Sequence, residues 1–76
     1  MALYAEIRKL EENEQQVRYA YTDVSGIEQT FRLDKLAETI RLETGADDML
    51  FRAVAGKVAS AWLKGKEAPD HLIVQA

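Results

Sequence analysis

The chain opens on an alternation. In residues 2–10, ALYAEIRKL, Leu3, Ala5 and Ile7 fall on one side and Tyr4, Glu6 and Arg8 on the other. That is the period of a half-buried strand. The polar run EENEQQ at 11–16 predicts a connecting loop. Alternation resumes in VRYAYTD (17–23), where Val17, Tyr19 and Tyr21 share one face and β-branched and aromatic residues favour a strand. VSGI then supplies a turn, with Gly26 free to take a positive φ. EQTFRLD (28–34) predicts a third strand that sends Phe31 and Leu33 inward. Short connections between such strands predict an antiparallel meander. Its other face carries Glu6, Arg8, Arg18, Glu28, Arg32, Arg41 and Glu43, mixed signs suited to cross-strand ion pairs.

The next segment, DKLAETIRLETG (34–45), supports two readings. Leu33, Leu36, Ala37 and Ile40 are spaced for one helix face, with Asp34 placed to cap it and Gly45 to end it. TIRLE (39–43) alternates, which predicts a strand instead. The segment after it is unambiguous. Asp47 is placed to cap a helix over 48–64 that Gly65 would stop. On that helix Leu50, Phe51, Val54, Ala55, Val58, Ala61 and Trp62 cover an arc of about 140°, wide enough to lie across a small sheet. Trp62 is therefore expected to be buried near Tyr19 or Phe31. The closing HLIVQA (71–76) reads as an edge strand or a tail.

The second half of the chain resembles a group of small actinobacterial proteins without an assigned activity. The residues that carry the resemblance are Asp34, Lys35, Glu38, Ile40, Leu42, Val58, Ala61, Trp62, Gly65 and Pro69. The group places glycine in the turn where this chain has KLAE. The resemblance implies a β-meander followed by one helix, with a fourth strand at 39–44; it implies no activity. The expected fold is thus α+β, one domain over 1–76. An antiparallel meander of three or four strands is covered on one face by the 48–64 helix.

Composition narrows the function. Seventy-six residues, 47% apolar and 30% charged, describe one small globular domain near the lower size limit of a self-sufficient core. With no cysteine, neither a disulfide framework nor a thiolate metal site is available. No apolar run approaches the ~20 residues that span a bilayer, and the N-terminus lacks a signal-peptide pattern, so the expected location is the cytoplasm and no membrane partner is expected. A net charge of −3 disfavours a general polyanion binder. Charge is nevertheless uneven: residues 1–48 sum to −5, and residues 49–66 carry Arg52, Lys57, Lys64 and Lys66 without an acid.

Catalysis needs a nucleophile with a base, paired carboxylates in a pocket, or a metal. The single histidine, His71, adjoins Asp70 in a predicted loop, which is poor geometry for a triad with Ser25 or Ser60. One histidine without cysteine makes no ordinary zinc site, and Asp47–Asp48 lacks the alternate spacing of a calcium loop. The expectation is a protein without catalytic residues, metal or cofactor. Of the aromatics only Tyr4 falls on the open sheet face, a weak platform for stacking bases.

One stretch stands apart. Opposite the packed arc of the helix lie Met49, Ala53, Gly56, Ala59, Ser60 and Leu63. Gly56 costs about 1 kcal/mol against alanine inside a helix. Exposed large apolar residues beside small ones make a surface that another chain can approach closely, although scattered surface apolars and helix-favouring alanines explain the same pattern. The sequence points to a small interaction module, self-associating or bound to another protein through Met49, Ala53, Gly56, Ser60 and Leu63. The alternative is weak nucleic-acid binding through Arg52, Lys57, Lys64 and the sheet arginines Arg8, Arg18 and Arg32.

Overall fold

The computed structural model describes residues 3–75. The expected start of the first strand at Ala2 and the last residue of the tail, Ala76, lie outside them. The fold is α+β, with five strands, β1 (Tyr4–Glu12), β2 (Gln16–Asp23), β3 (Glu28–Asp34), β4 (Thr39–Leu42) and β5 (His71–Gln75), and one helix, α1 (Met49–Gly65). The sheet order is β4-β3-β2-β1-β5, and every neighbouring pair is antiparallel. The sheet holds five strands rather than the three or four expected of the meander, and the closing segment is the edge strand, not a tail. The addition is β5, which pairs with the first strand of the chain from Tyr4↔Gln75 to Arg8↔His71.

The first hairpin is longer than its polar sequence suggests. Glu11 and Glu12 belong to β1 and pair with Arg18 and Val17 after a shift in register at Leu10. The loop shrinks to residues 13–15, where the Asn13 side chain accepts from the Gln15 and Gln16 N–H groups. A polar strand end is stable here because its carboxylates find cations, Glu12 on Lys9 and Lys35.

The ambiguous segment is a hairpin, not a helix. Asp34 accepts from the N–H groups of Leu36 and Ala37, which closes a turn, and Glu38 completes it with φ 57°. β4 then pairs Ile40 with Leu33 and Leu42 with Phe31, so its apolar residues join the core. Glu38 takes this left-handed conformation at the cost it carries for a residue with a Cβ.

α1 carries the chain from the β4 edge across one face to the β5 edge. Phe51, Val54, Val58 and Trp62 are buried against Ala5, Ile7, Val17, Tyr19, Tyr21, Phe31, Leu33 and Val74. Both ends shift by one residue from expectation. Asp48, not Asp47, caps the helix by accepting from the Phe51 N–H at 2.9 Å, leaving Asp47 to pair with Arg52. Gly65 is still helical, and the left-handed stop is Lys66 at φ 54°, whose N–H reaches the Trp62 carbonyl. Trp62 is buried as expected, at 8% exposure. The helix ring that meets Tyr21 and Phe31 is Phe51, however, while Trp62 lies beneath Lys35 and Lys66.

Candidate functional site

Two outer surfaces remain once the core is formed: the back of α1 and the open face of the sheet. On the back of α1, Gly56 and Ser60 are exposed, as are Met49 at 70% and Leu63 at 59%. A Cβ built on Gly56 meets nothing within 4 Å, so no intramolecular contact requires glycine there. Ala53 is different from its four companions. It is half-buried and packs against the core cluster, as an alanine on the flank of a helix lying close to a sheet can do. The helical spacing placed it with the open group because 100° per residue describes the helix alone and not how far neighbouring strands reach up its side.

The bases of this face differ in how they are used. Arg52 pairs with Asp47 at 3.1 Å, and Lys66 with Glu38. Lys57 and Lys64 have no ion-pair partner among the described residues. Beyond the helix end, a shallow hollow of about 320 Å³ is lined by Ala61, Lys64, Gly65, Glu67, Ala68 and Pro69.

The open sheet face is tiled by ions. Arg8 pairs with Glu28, and Arg18 with Glu43 at 2.8 Å. Arg32 also bonds Glu43, through the second carboxylate oxygen. Glu43 is thus clamped between two guanidinium groups, first of all by Arg18, and its carboxyl is held below the usual range. Strand register puts Arg18 opposite Arg32 and Arg32 opposite Arg41, a row of three arginines. The sequence placed all three on this face, but their alignment depends on loop lengths and on β4 existing. The sequence alone therefore does not single out Arg41 as a binding residue. His71 also lies here, half-exposed, its Nε2 3.8 Å from Glu6. Ser60 is on the opposite side of the molecule, so these two never meet.

A third cluster closes one end of the core. Lys9 Nζ lies 2.7 Å from Glu12, 2.8 Å from Asp70 and 3.3 Å from the Ala68 carbonyl. Bonds to Asp70 and Glu12 raise the Lys9 pKa, and bonds from Lys35 and Lys9 lower that of Glu12. The Tyr19 hydroxyl donates to the Pro69 carbonyl at 2.8 Å. These contacts fasten the segment before β5 to β1 and β2, so the cluster is explained by the fold.

Comparison with protein families, with curated proteins and with solved structures finds no match for this chain. No helix of the described residues is long and apolar enough to cross a membrane.

Proposed function

We propose that this chain is a non-enzymatic interaction module of the cytoplasm that binds a second copy of itself through the back of α1. The observation that carries the reading is the arrangement around Gly56. Met49 and Leu63 are both exposed and each lies seven residues from it, which at 100° per residue returns to within 20° of the same direction. Two such helices crossing antiparallel at Gly56 would bring Met49 of one copy against Leu63 of the other. Only a residue without a side chain lets the backbones meet at the centre of such a crossing. The sheet's open face offers no comparable apolar strip, because it is lined with charged side chains, several of them paired across the strands.

The test is sedimentation of the parent protein, Gly56→Ala and Gly56→Leu over a hundredfold range around a micromolar dissociation constant, roughly 8 kcal/mol of association. The reading expects concentration-dependent dimers of the parent and their loss in Gly56→Leu. A parent that remains monomeric throughout overturns it.

The nucleic-acid alternative draws on Arg52, Lys57 and Lys64 and on the sheet arginines, two sets on opposite sides of the molecule. One nucleic-acid strand running along one side could use only one set. Steep weakening with added salt would favour this alternative, since phosphate contacts release counterions and apolar contacts do not.

A further inference from the structure

The row Arg18–Arg32–Arg41 works against the sheet that holds it, since like charges directly opposite one another on neighbouring strands are destabilising. Two of the three are restrained. Glu43 accepts from Nε of both Arg18 and Arg32, which fixes the planes of the guanidinium groups and leaves the terminal nitrogens of Arg32 without an ion-pair partner among the described residues. A second acid, Glu11, lies 3.9 Å from a terminal nitrogen of Arg18. Arg41 has no ion-pair partner among the described residues. Arg32 and Arg41 line one cleft of about 200 Å³ together with Gln16, Thr39 and Asp34. Asp34 already accepts two backbone N–H groups in the β3–β4 turn, so part of its acceptor capacity is occupied. Two guanidinium groups, a hydroxyl and an amide make this corner rich in donors.

We propose that the Arg32–Arg41 cleft binds the phosphate monoester end of a phosphorylated small molecule. Planar guanidinium forks match phosphate oxygens in bidentate geometry, and the Glu43 carboxylate that orients Arg32 beforehand lowers the ordering needed on binding. The monoester is favoured over a nucleic-acid backbone by what the face lacks. Its one aromatic, Tyr4, pairs with Gln75 at the opposite edge of the sheet, so no ring stands near the cleft to stack a base. The site is on the other side of the molecule from the back of α1 and is independent of self-association there.

The experiment is a nuclear magnetic resonance titration of the whole isotope-labelled chain with inorganic phosphate and with phenyl phosphate. It is run at pH 8, with sodium chloride holding the ionic strength constant. The expected result is saturable shifts at the Nε–H groups of Arg18, Arg32 and Arg41 and at the amides of Gln16 and Thr39. Arg41→Gln should weaken binding about tenfold, as loss of a charge-assisted bond does. Arg41→Lys should restore only part, and Arg8→Gln on the same face should change nothing. Thr39→Val, expected to weaken binding less, provides a second variant should Arg41→Gln fail to fold. Shifts that grow linearly without saturating, or that affect Arg8 equally, overturn the proposal. So does unchanged affinity in folded Arg41→Gln, or in Thr39→Val where Arg41→Gln fails to fold. An oligothymidine without terminal phosphate that binds these residues more tightly than phenyl phosphate would also overturn it, in favour of a phosphodiester backbone.

Discussion

The indole N–H of Trp62 donates to the Glu38 carboxylate at 2.9 Å, tying the last turns of α1 to the tip of the β3–β4 hairpin. Glu38 takes a second bond from Lys66, and these two bonds hold its carboxyl below the ordinary range. The left-handed Glu38 in the hairpin and the left-handed Lys66 at the helix end are therefore joined through one carboxylate. The arrangement places the helix along the sheet as well as against it.

Trp62→Ala should cost about 3–5 kcal/mol, enough to unfold a domain of this size. Trp62→Phe keeps most of the burial and removes the donor, so its cost should be nearer 1 kcal/mol. Urea unfolding of both variants checks this. A phenylalanine variant as stable as the parent would show that the bond to Glu38 adds nothing.

The glycines should separate by backbone geometry. Gly56 and Gly65 are helical, and a Cβ at either meets open space, so alanine at each should stabilise the monomer by about 0.5–1 kcal/mol. Gly45 has φ 89°, and a Cβ there would stand 2.8 Å from the Gln29 side chain, so Gly45→Ala should destabilise. Thermal midpoints of the three variants measure the contrast. A stabilised Gly45→Ala would contradict the turn.

Alkaline pH should weaken the fold as it rises above about 10. Burial pushes the Tyr19 phenol up to about 12, against about 10 in an unfolded chain. A group whose folded pKa is raised contributes stability that is whole below its unfolded pKa and lost as pH rises through the folded one. Tyr19 should thus cost stability between pH ~10 and ~12, and Lys9, also raised, acts with the same sign. Urea midpoints from pH 7 to 11.5 should fall less steeply in Tyr19→Phe than in the parent. Equal slopes would remove Tyr19 from the account.

His71→Ala should leave stability within about 0.5 kcal/mol and any self-association unaltered, because the ring is half-exposed and stands 3.8 Å from the Glu6 carboxylate. Loss of any reproducible activity with the fold intact would reveal chemistry at this end of β5.

Much of the architecture was written locally. Leu3, Ala5 and Ile7, then Val17, Tyr19 and Tyr21, then Phe31 and Leu33 alternate strongly enough to define three strands and the face each buries. The helical spacing of Phe51, Val54, Val58 and Trp62 defines α1 and its packed side. The split of ionic residues to the other sheet face was also legible, since a strand's side chains alternate whatever its partner.

Tertiary contacts decided the rest. Residues 34–44 fit a helix and a hairpin about equally in isolation, and pairing of Ile40 and Leu42 with Leu33 and Phe31 selects the hairpin. β5 is a strand because β1 offers it an edge, a partner more than sixty residues earlier that no local pattern could indicate. The two candidate surfaces divide in the same way. Met49, Gly56, Ser60 and Leu63 could be grouped from one helix's periodicity, whereas Ala53 is drawn into the core by neighbours outside that helix. The arginine row exists only through the registers of two hairpins. Periodicity reports which way a side chain faces along its own element; register and packing, set by residues distant in sequence, determine what it meets there.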